Sequence, residues 1–554
     1  MHKLKPTGLW LAVLLACSLL VSACSGTATP TAKPAAATET ATQQEAPKTP
    51  RIQGRLTWSG IGEPVNFNPI LQADVNSAWV AQRVFSGLVE INEKLEVAPD
   101  IATEWSASPD GLQWTFKLRD NVKFHDGKPM TADDVAFTYN AIKDKGYTGP
   151  RSGDFAALER VEVIDSTTVK FVLKEPFAPF LSNLTYGILP KHLYDSKPVA
   201  EMKENPANRK PVGTGPWKFN EWVPGQYLTL VRNDSYYADG PYIPEMLLKF
   251  VQDGHVATTK LEAGEFDIGA IPPTSVKRFV GNLGDQFNFF PYQGMGFEYL
   301  AFNLTKPGLK EKAVRQAIAY AVDRQKVVND ILEGQGVVLN APVPPASWAY
   351  TGAPIRFTYD PAQSTKLLEE AGYKKGSDGI YARDGQRLSF TITTNTGSPV
   401  RESECLFIQK ALKDIGIELN IDLVELSVFQ GKVLPTGNFD MVLNRLNLNI
   451  DPDPYSYFHS SQGQKNAKGT FVGFNTAQYS NPEVDRLLEE GRRTIDQAQR
   501  KEIYAKYQQV IAEDVPWLVM FNYKSTYAIK KNVQGVVMSP IGPTKGRVWY
   551  MDQP

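Results

Sequence analysis

Apolar and polar positions alternate in LQWTFKLRDNVKF, where Leu112, Trp114, Phe116 and Leu118 share one side. A period of two predicts a half-buried strand. The following stretch, HDGKPMTADDVAFTYNAIKD, changes period: Asp126-Gly127 marks a turn, Thr131 with Asp134 opens a capping box, and Val135, Tyr139 and Ile142 recur at helical spacing. VEVIDSTTVKFVLKEP predicts a hairpin, and QYLTLVRND and EMLLKFVQD further strands. Later, Val314, Ala317, Ile318, Ala321 and Val322 form one helical stripe, and Asp323 is placed to cap a second helix carrying Val327, Val328, Ile331 and Leu332. Asp360 with Pro361 opens a helix that Gly372 closes, and Asn481 with Pro482 opens another. Strands interleave with helices and no repeat period occurs, which predicts an α/β or α+β class.

The N-terminus carries a different pattern. Lys3 and Lys5 precede GLWLAVLLACSLLVSA, an uncharged run that ends in small residues. This reads as a secretory signal, too short for a comfortable membrane span. Val21-Ser22-Ala23-Cys24 resembles a bacterial lipobox, so residues 1–23 are expected to be removed and Cys24 to carry lipid. Residues 25–50 hold seven Thr, seven Ala and four Pro without a large apolar residue. Such a segment cannot offset its ordering entropy and is expected to be a disordered tether. It would hold a globular body clear of the membrane.

Composition narrows the partners. With 59 basic and 60 acidic residues in 554, and no long block of like charge, nucleic acid and anionic membrane surfaces are poor partners. Ten Trp and twenty-three Tyr suit apolar recognition surfaces. Of three cysteines, Cys17 leaves with the signal and Cys24 takes lipid, so Cys405 stands alone and no internal disulfide is expected.

Chemistry-bearing patterns are sparse. HDG at His125–Gly127 is read as a strand-to-turn corner. GTGPW, with Gly213 and Gly215, lacks the rest of a phosphate-binding fingerprint and is read as a turn near a hinge. The five histidines are scattered, so no metal and no cofactor is expected. Neither G-x-S-x-G nor H-E-x-x-H occurs. A hydrolase is the lesser reading, with paired carboxylates such as Asp451 and Asp453 its only chemical support.

The stretch from Ala98 to Val135, APDIATEWSASPDGLQWTFKLRDNVKFHDGKPMTADDV, resembles the signature region of the extracellular solute-binding proteins of family 5, the oligopeptide-binding family. PVGTGPWKF, YDPAQSTKLLEEAGY, NFDMVL and the segment beginning YSNPEVDRLLEEG extend the likeness in order along nearly the whole mature chain. The resemblance implies an α/β, two-lobed periplasmic-binding-protein-like fold with an extra domain, a two-strand hinge and a ligand cleft between the lobes. Lobe one would comprise 51–88, 206–292 and 522–554, the extra domain 89–205 and lobe two 293–521. It further implies a monomeric, non-enzymatic receptor of an ABC importer. Such a receptor binds an oligopeptide or similar small solute and docks on membrane permease subunits, with the ATPase subunits reached indirectly.

Site candidates follow from matching positions: Val75, Asn76, Tyr299, Asn395 and Phe521. In addition, Asn438 to Phe458, read as a strand, puts Val442, Leu446, Leu448 and Ile450 on one face and Arg445, Asn447 and Asn449 on the other. The polar face with Asp451, Asp453 and Tyr457 is expected to line the cleft. Peptide-binding relatives carry Gly-Trp here, then an Asp for the peptide's amino group. This chain has Arg445-Leu446, and Asp451 lies one residue off register, which leaves non-peptide solutes open.

Overall fold

The computed structural model describes residues 54–251, 254–352, 357–544 and 546–552. The expected signal and tether, with Cys24, fall outside them. Its largest sheet has eleven strands. At the centre Phe287–Phe302 pairs antiparallel with Trp517–Lys530, and these two long strands serve two lobes. One half of the pair, 287–293 with 524–530, continues through Ile268–Ile271, Arg55–Ile61, Glu245–Val251 and Tyr227–Arg232 to Trp217–Val223. The other half continues through Met441–Asn447 and Ser389–Asn395 to Glu418–Val424. The ladder slips register between Gln293 and Phe297, and again between Glu298 and Tyr299. Bending at a slip breaks the fewest regular pairs, so the crossing between the lobes is built as a hinge.

A separate four-stranded antiparallel sheet has the order Ala102–Ala107, Gln113–Leu118, Thr168–Leu173, Leu158–Asp165. Helix Ala132–Lys143 packs on it behind the Thr131–Asp134 capping box that the sequence predicts. Tyr139 meets Phe155 and Phe171 edge-on at 5.2 and 5.1 Å. This inserted unit is fused to lobe one, because Phe116, Tyr139 and Phe171 belong to the same buried cluster as Leu56, Leu230 and Ile268. Arg547 adds a two-pronged ion pair to Glu90, at 2.7 and 3.2 Å.

The two conspicuous motifs of the sequence meet each other. His125 Nε2 donates to the Gly215 carbonyl at 2.9 Å, and the Gly213 N–H donates to His125 Nδ1 at 3.3 Å. A Cβ on Gly213 would lie 2.0 Å from the Val84 carbonyl oxygen, so only glycine fits this approach. Burial pushes the His125 imidazole down to about 4, and it stays neutral to keep both bonds.

Two local expectations change. Asp323 does cap, accepting the Lys326 N–H at 2.9 Å. However, the helix is one α-turn, Arg324–Lys326, followed by a π-turn over Val327–Ile331. Glu333 and Gly334 then take positive φ of 50° and 80°, turning the chain into Gly336–Val338 before a further α-turn can form. The expected strand after Asn438 covers only Met441–Asn447. Beyond it Pro452 and Pro454 remove ladder donors, and Asp451 and Asp453 bend the chain by accepting the N–H of Asp453 and Tyr455, each at 3.1 Å. Tyr455 and Tyr457 lie on a single helical turn, Tyr455–Phe458.

Candidate ligand cleft

Strand direction defines the cleft. In lobe two Ser389–Asn395 runs parallel to Glu418–Val424 and to Met441–Asn447. Asn447 pairs with Gly296 and Met441 with Phe302, so these strands end facing lobe one. In lobe one Arg55–Ile61 runs parallel to Glu245–Val251 and Ile268–Ile271. Ile271 pairs with Thr526 and Ile268 with Ile529, so these strands end facing lobe two. Open α/β sheets bind ligands outside the carboxyl ends of their parallel strands. Here two such edges oppose each other across the hinge.

Helix Val75–Val84 starts at the lobe-one edge, with Asp74 accepting the Ser77 N–H at 2.8 Å. The Asn76 amide lies beside the strand end, 3.2 Å from where a Cβ on Gly60 would stand. Val75 is the first residue of that helix.

At the lobe-two edge Arg401, in the first turn of helix Pro399–Asp414, gathers a polar group. Its Nε donates to Glu298 Oε1 at 2.5 Å and its Nη1 to Asn395 Oδ1 at 2.6 Å. The Tyr523 hydroxyl donates to the other Glu298 oxygen at 3.2 Å. Arg445 lies over the Tyr523 ring at 4.7 Å, and opposite Glu298 in the ladder. Three residues after Arg401, Glu404 is fully buried, and neither of its carboxyl oxygens has a hydrogen-bond partner. Burial first, then the Glu298 charge, pushes the Glu404 carboxyl well above the carboxylate range, so it is protonated. Asn395 and Arg445 are thus brought together. Glu298, Arg401, Glu404 and Tyr523 were missed, although a charged residue inside the apolar run GFEYLAF was a signal for Glu298.

The other predicted residues occupy the opposite face or the loop. Tyr299 stacks on Trp517 at 4.0 Å and accepts from Asn444 Nδ2 at 3.2 Å. Tyr457 meets the same Trp517 edge-on at 6.1 Å, and burial pushes its hydroxyl up to about 12. Asp451 is gripped by Arg500 through two bonds of 2.7 and 2.8 Å. Asp453 accepts from Arg492 Nε at 2.7 Å, and burial pushes its carboxyl up while Arg492 pulls it down. These carboxylates therefore carry protein partners instead of an open face. Phe521 is the plain correction: its ring is enclosed with Val328, Leu332 and Ile408 in the core of lobe two. Its edge-on neighbour at 5.0 Å, Tyr523, is the residue that joins the polar group.

The profile of bacterial extracellular solute-binding proteins, family 5 Middle, matches residues 96–469. The oligopeptide-binding protein AppA of Bacillus subtilis (strain 168) is 34% identical over 551 residues, covering 98% of this chain and 97% of its own. The dipeptide-binding protein of Escherichia coli (strain K12) is 28% identical, covering 88% of this chain and 92% of its own. Among solved structures, Bacillus subtilis AppA in complex with a nonapeptide superposes with a TM-score of 0.79 at 33% identity, over 91% of this chain and all of that one. NikZ from Campylobacter jejuni in complex with Ni(L-His) also reaches 0.79, at 28% identity, over 90% and 99%. With the opposed strand edges and the shared hinge, these likenesses establish that the chain belongs to the bacterial extracellular solute-binding proteins of family 5.

Proposed function

We propose that this protein is the extracytoplasmic receptor of an ABC importer, capturing peptides by closing two lobes over them and delivering them to a membrane permease. The observation that carries this reading is the pair of opposed strand edges joined by only two continuous strands. Ligand touching both edges stabilises the closed state by the contacts it makes there alone. The division into 51–88, 206–292 and 522–554 as lobe one, 89–205 as extra domain and 293–521 as lobe two belongs to the same reading. So does anchoring through lipid on Cys24. Among the described residues no helix is long and apolar enough to cross a membrane. Asn76, Asn395 and Arg445, with Arg401 and Tyr523 beside them, are the side chains assigned to ligand. The receptor acts without chemistry on its solute and as a monomer.

A second reading keeps the receptor and changes the solute. Both Asp451 oxygens are held by Arg500, so the carboxylate nearest to the amino-group position of relatives is already neutralised. That favours solutes recognised without a free ammonium group. Mass spectrometry of ligand released from natively purified protein separates the two: peptides support the first reading, and a uniform non-peptide mass supports the second. Conversion of that ligand into product on incubation would overturn the receptor role altogether.

A further inference from the structure

We propose that the inserted unit is a latch on lobe two, and that Arg492 and Arg493, at the end of helix Pro482–Arg493, are its closure-controlling residues. This rests on the proposed lobe closure and adds the part that holds it shut. The inserted unit shares a core with lobe one, so it moves with lobe one when the hinge strands bend. Yet it also touches lobe two, on the far side of the hinge. The Ala178 N–H donates to the Arg492 carbonyl at 2.7 Å. Arg493 pairs with Glu175 at 3.5 Å. The Arg492 guanidinium lies 5.2 Å from the centre of the Phe177 ring and 3.9 Å from that of Tyr455, while its Nε holds Asp453. Opening the hinge by moving the two bodies apart has to break these contacts.

The geometry also explains why the Asp-Pro loop carries charge away from the strand edges. Asp453 fixes Arg492 so that the guanidinium presents its face to Phe177, sandwiched between two rings. A cavity of about 100 Å³ lined by Glu175, Phe177, Tyr455 and Arg492 lies at this seam. The seam thus combines directional contacts with a gap, which suits a contact made and broken repeatedly. A permanent interface would be packed throughout. Each contact present only in the closed state raises the closed fraction and slows release of ligand.

The gauge is the Ala178 amide, whose hydrogen exchange reports the seam directly. In the full-length protein it is measured with and without a labelled nonapeptide, in wild type, Arg492→Gln, Arg493→Glu, and Arg493→Glu with Glu175→Arg. Peptide is expected to slow Ala178 exchange at least tenfold. Arg493→Glu should speed exchange and peptide release about two- to fivefold, the charge-swapped pair should restore both, and Arg492→Gln should speed them about tenfold. Calorimetry shows independently whether the nonapeptide binds. If it binds and Ala178 exchange does not respond, the seam is static and the latch is wrong. If no peptide binds, the peptide reading fails while the latch is still tested by ligand-free protein. There Arg492→Gln should enlarge the radius of gyration by small-angle scattering, and an unchanged radius with unchanged Ala178 exchange overturns the latch.

Discussion

Replacing Asp451 by Asn would leave the Arg500 guanidinium buried without its counter-charge, since only 5% of that side chain and 11% of Asp451 are exposed. Breaking one partner of a buried pair costs about 3–5 kcal/mol, whereas replacing both by apolar groups is often neutral. Asp451→Asn should therefore lower stability to denaturant by about that amount, and Asp451→Asn with Arg500→Met should recover most of it. Unchanged stability with weakened ligand binding would instead make Asp451 a ligand group. His125 gives a pH prediction. It is held down to about 4 in the fold, below the ordinary 6.5, so the unfolded chain takes up its proton first as pH falls. The contribution is whole above pH 6.5 and is lost between 6.5 and about 4, amounting to about 3 kcal/mol by linkage. His125→Gln should flatten the stability profile in that window. Denaturation midpoints at several pH values check it. Cys405 is buried with its thiol pushed up to about 12, chiefly by burial. It should resist maleimide until the protein unfolds.

Helix Pro399–Asp414 illustrates what an element adds to its residues. Its first turn aims Arg401 at the strand ends, and its next inward position buries Glu404 beside Glu298. Glu404 keeps its proton in the fold and loses it in the unfolded chain above pH 4.5, so this group makes the fold less stable as pH rises. Glu404→Met removes that penalty and an unpartnered buried polar group, and should raise thermal stability at pH 8 more than at pH 5. A variant less stable at both would show that Glu404 has a partner worth keeping. Elements with strong periodicity and caps were legible from sequence: Gln113–Leu118, Ala132–Lys143, Pro361–Glu370 and Pro482–Arg493 all form where the pattern places them. The Asn438–Phe458 stretch was legible only to Asn447, because the alternation of Leu446, Leu448 and Ile450 runs on past the last paired residue.

On the scale of the whole molecule, the binding site and the anchor make separable predictions. Arg445→Ala and Asn395→Ala should each weaken ligand about ten- to a hundredfold if they make charge-assisted or buried hydrogen bonds worth about 1.5–3 kcal/mol. Tyr457→Ala should act mainly on stability, since its ring packs against Trp517 and Phe474. Calorimetry with the co-purifying ligand compares them, and equal affinity in the Arg445 and Asn395 variants would move the site elsewhere. Cys24→Ala should release the protein from the membrane without altering its unfolding. Retained membrane association would rule out the lipid anchor.

The sequence by itself determined the periodic elements, the apolar N-terminal run ending at Cys24, and, through motifs in fixed order, the family. Those signals are local: a period, a cap or a turn needs only neighbouring residues. Pairing across tens of positions or more is not local, and only the tertiary structure decided it. Glu298 and Arg401 meet across 103 residues, and Arg500 reaches Asp451 across 49. From sequence, Asp451 and Asp453 are free acids on a loop and Phe521 is an aromatic near a hinge. Folding supplies each aspartate with an arginine and closes a core around the phenylalanine, because a buried charge needs a partner and a buried ring needs neighbours.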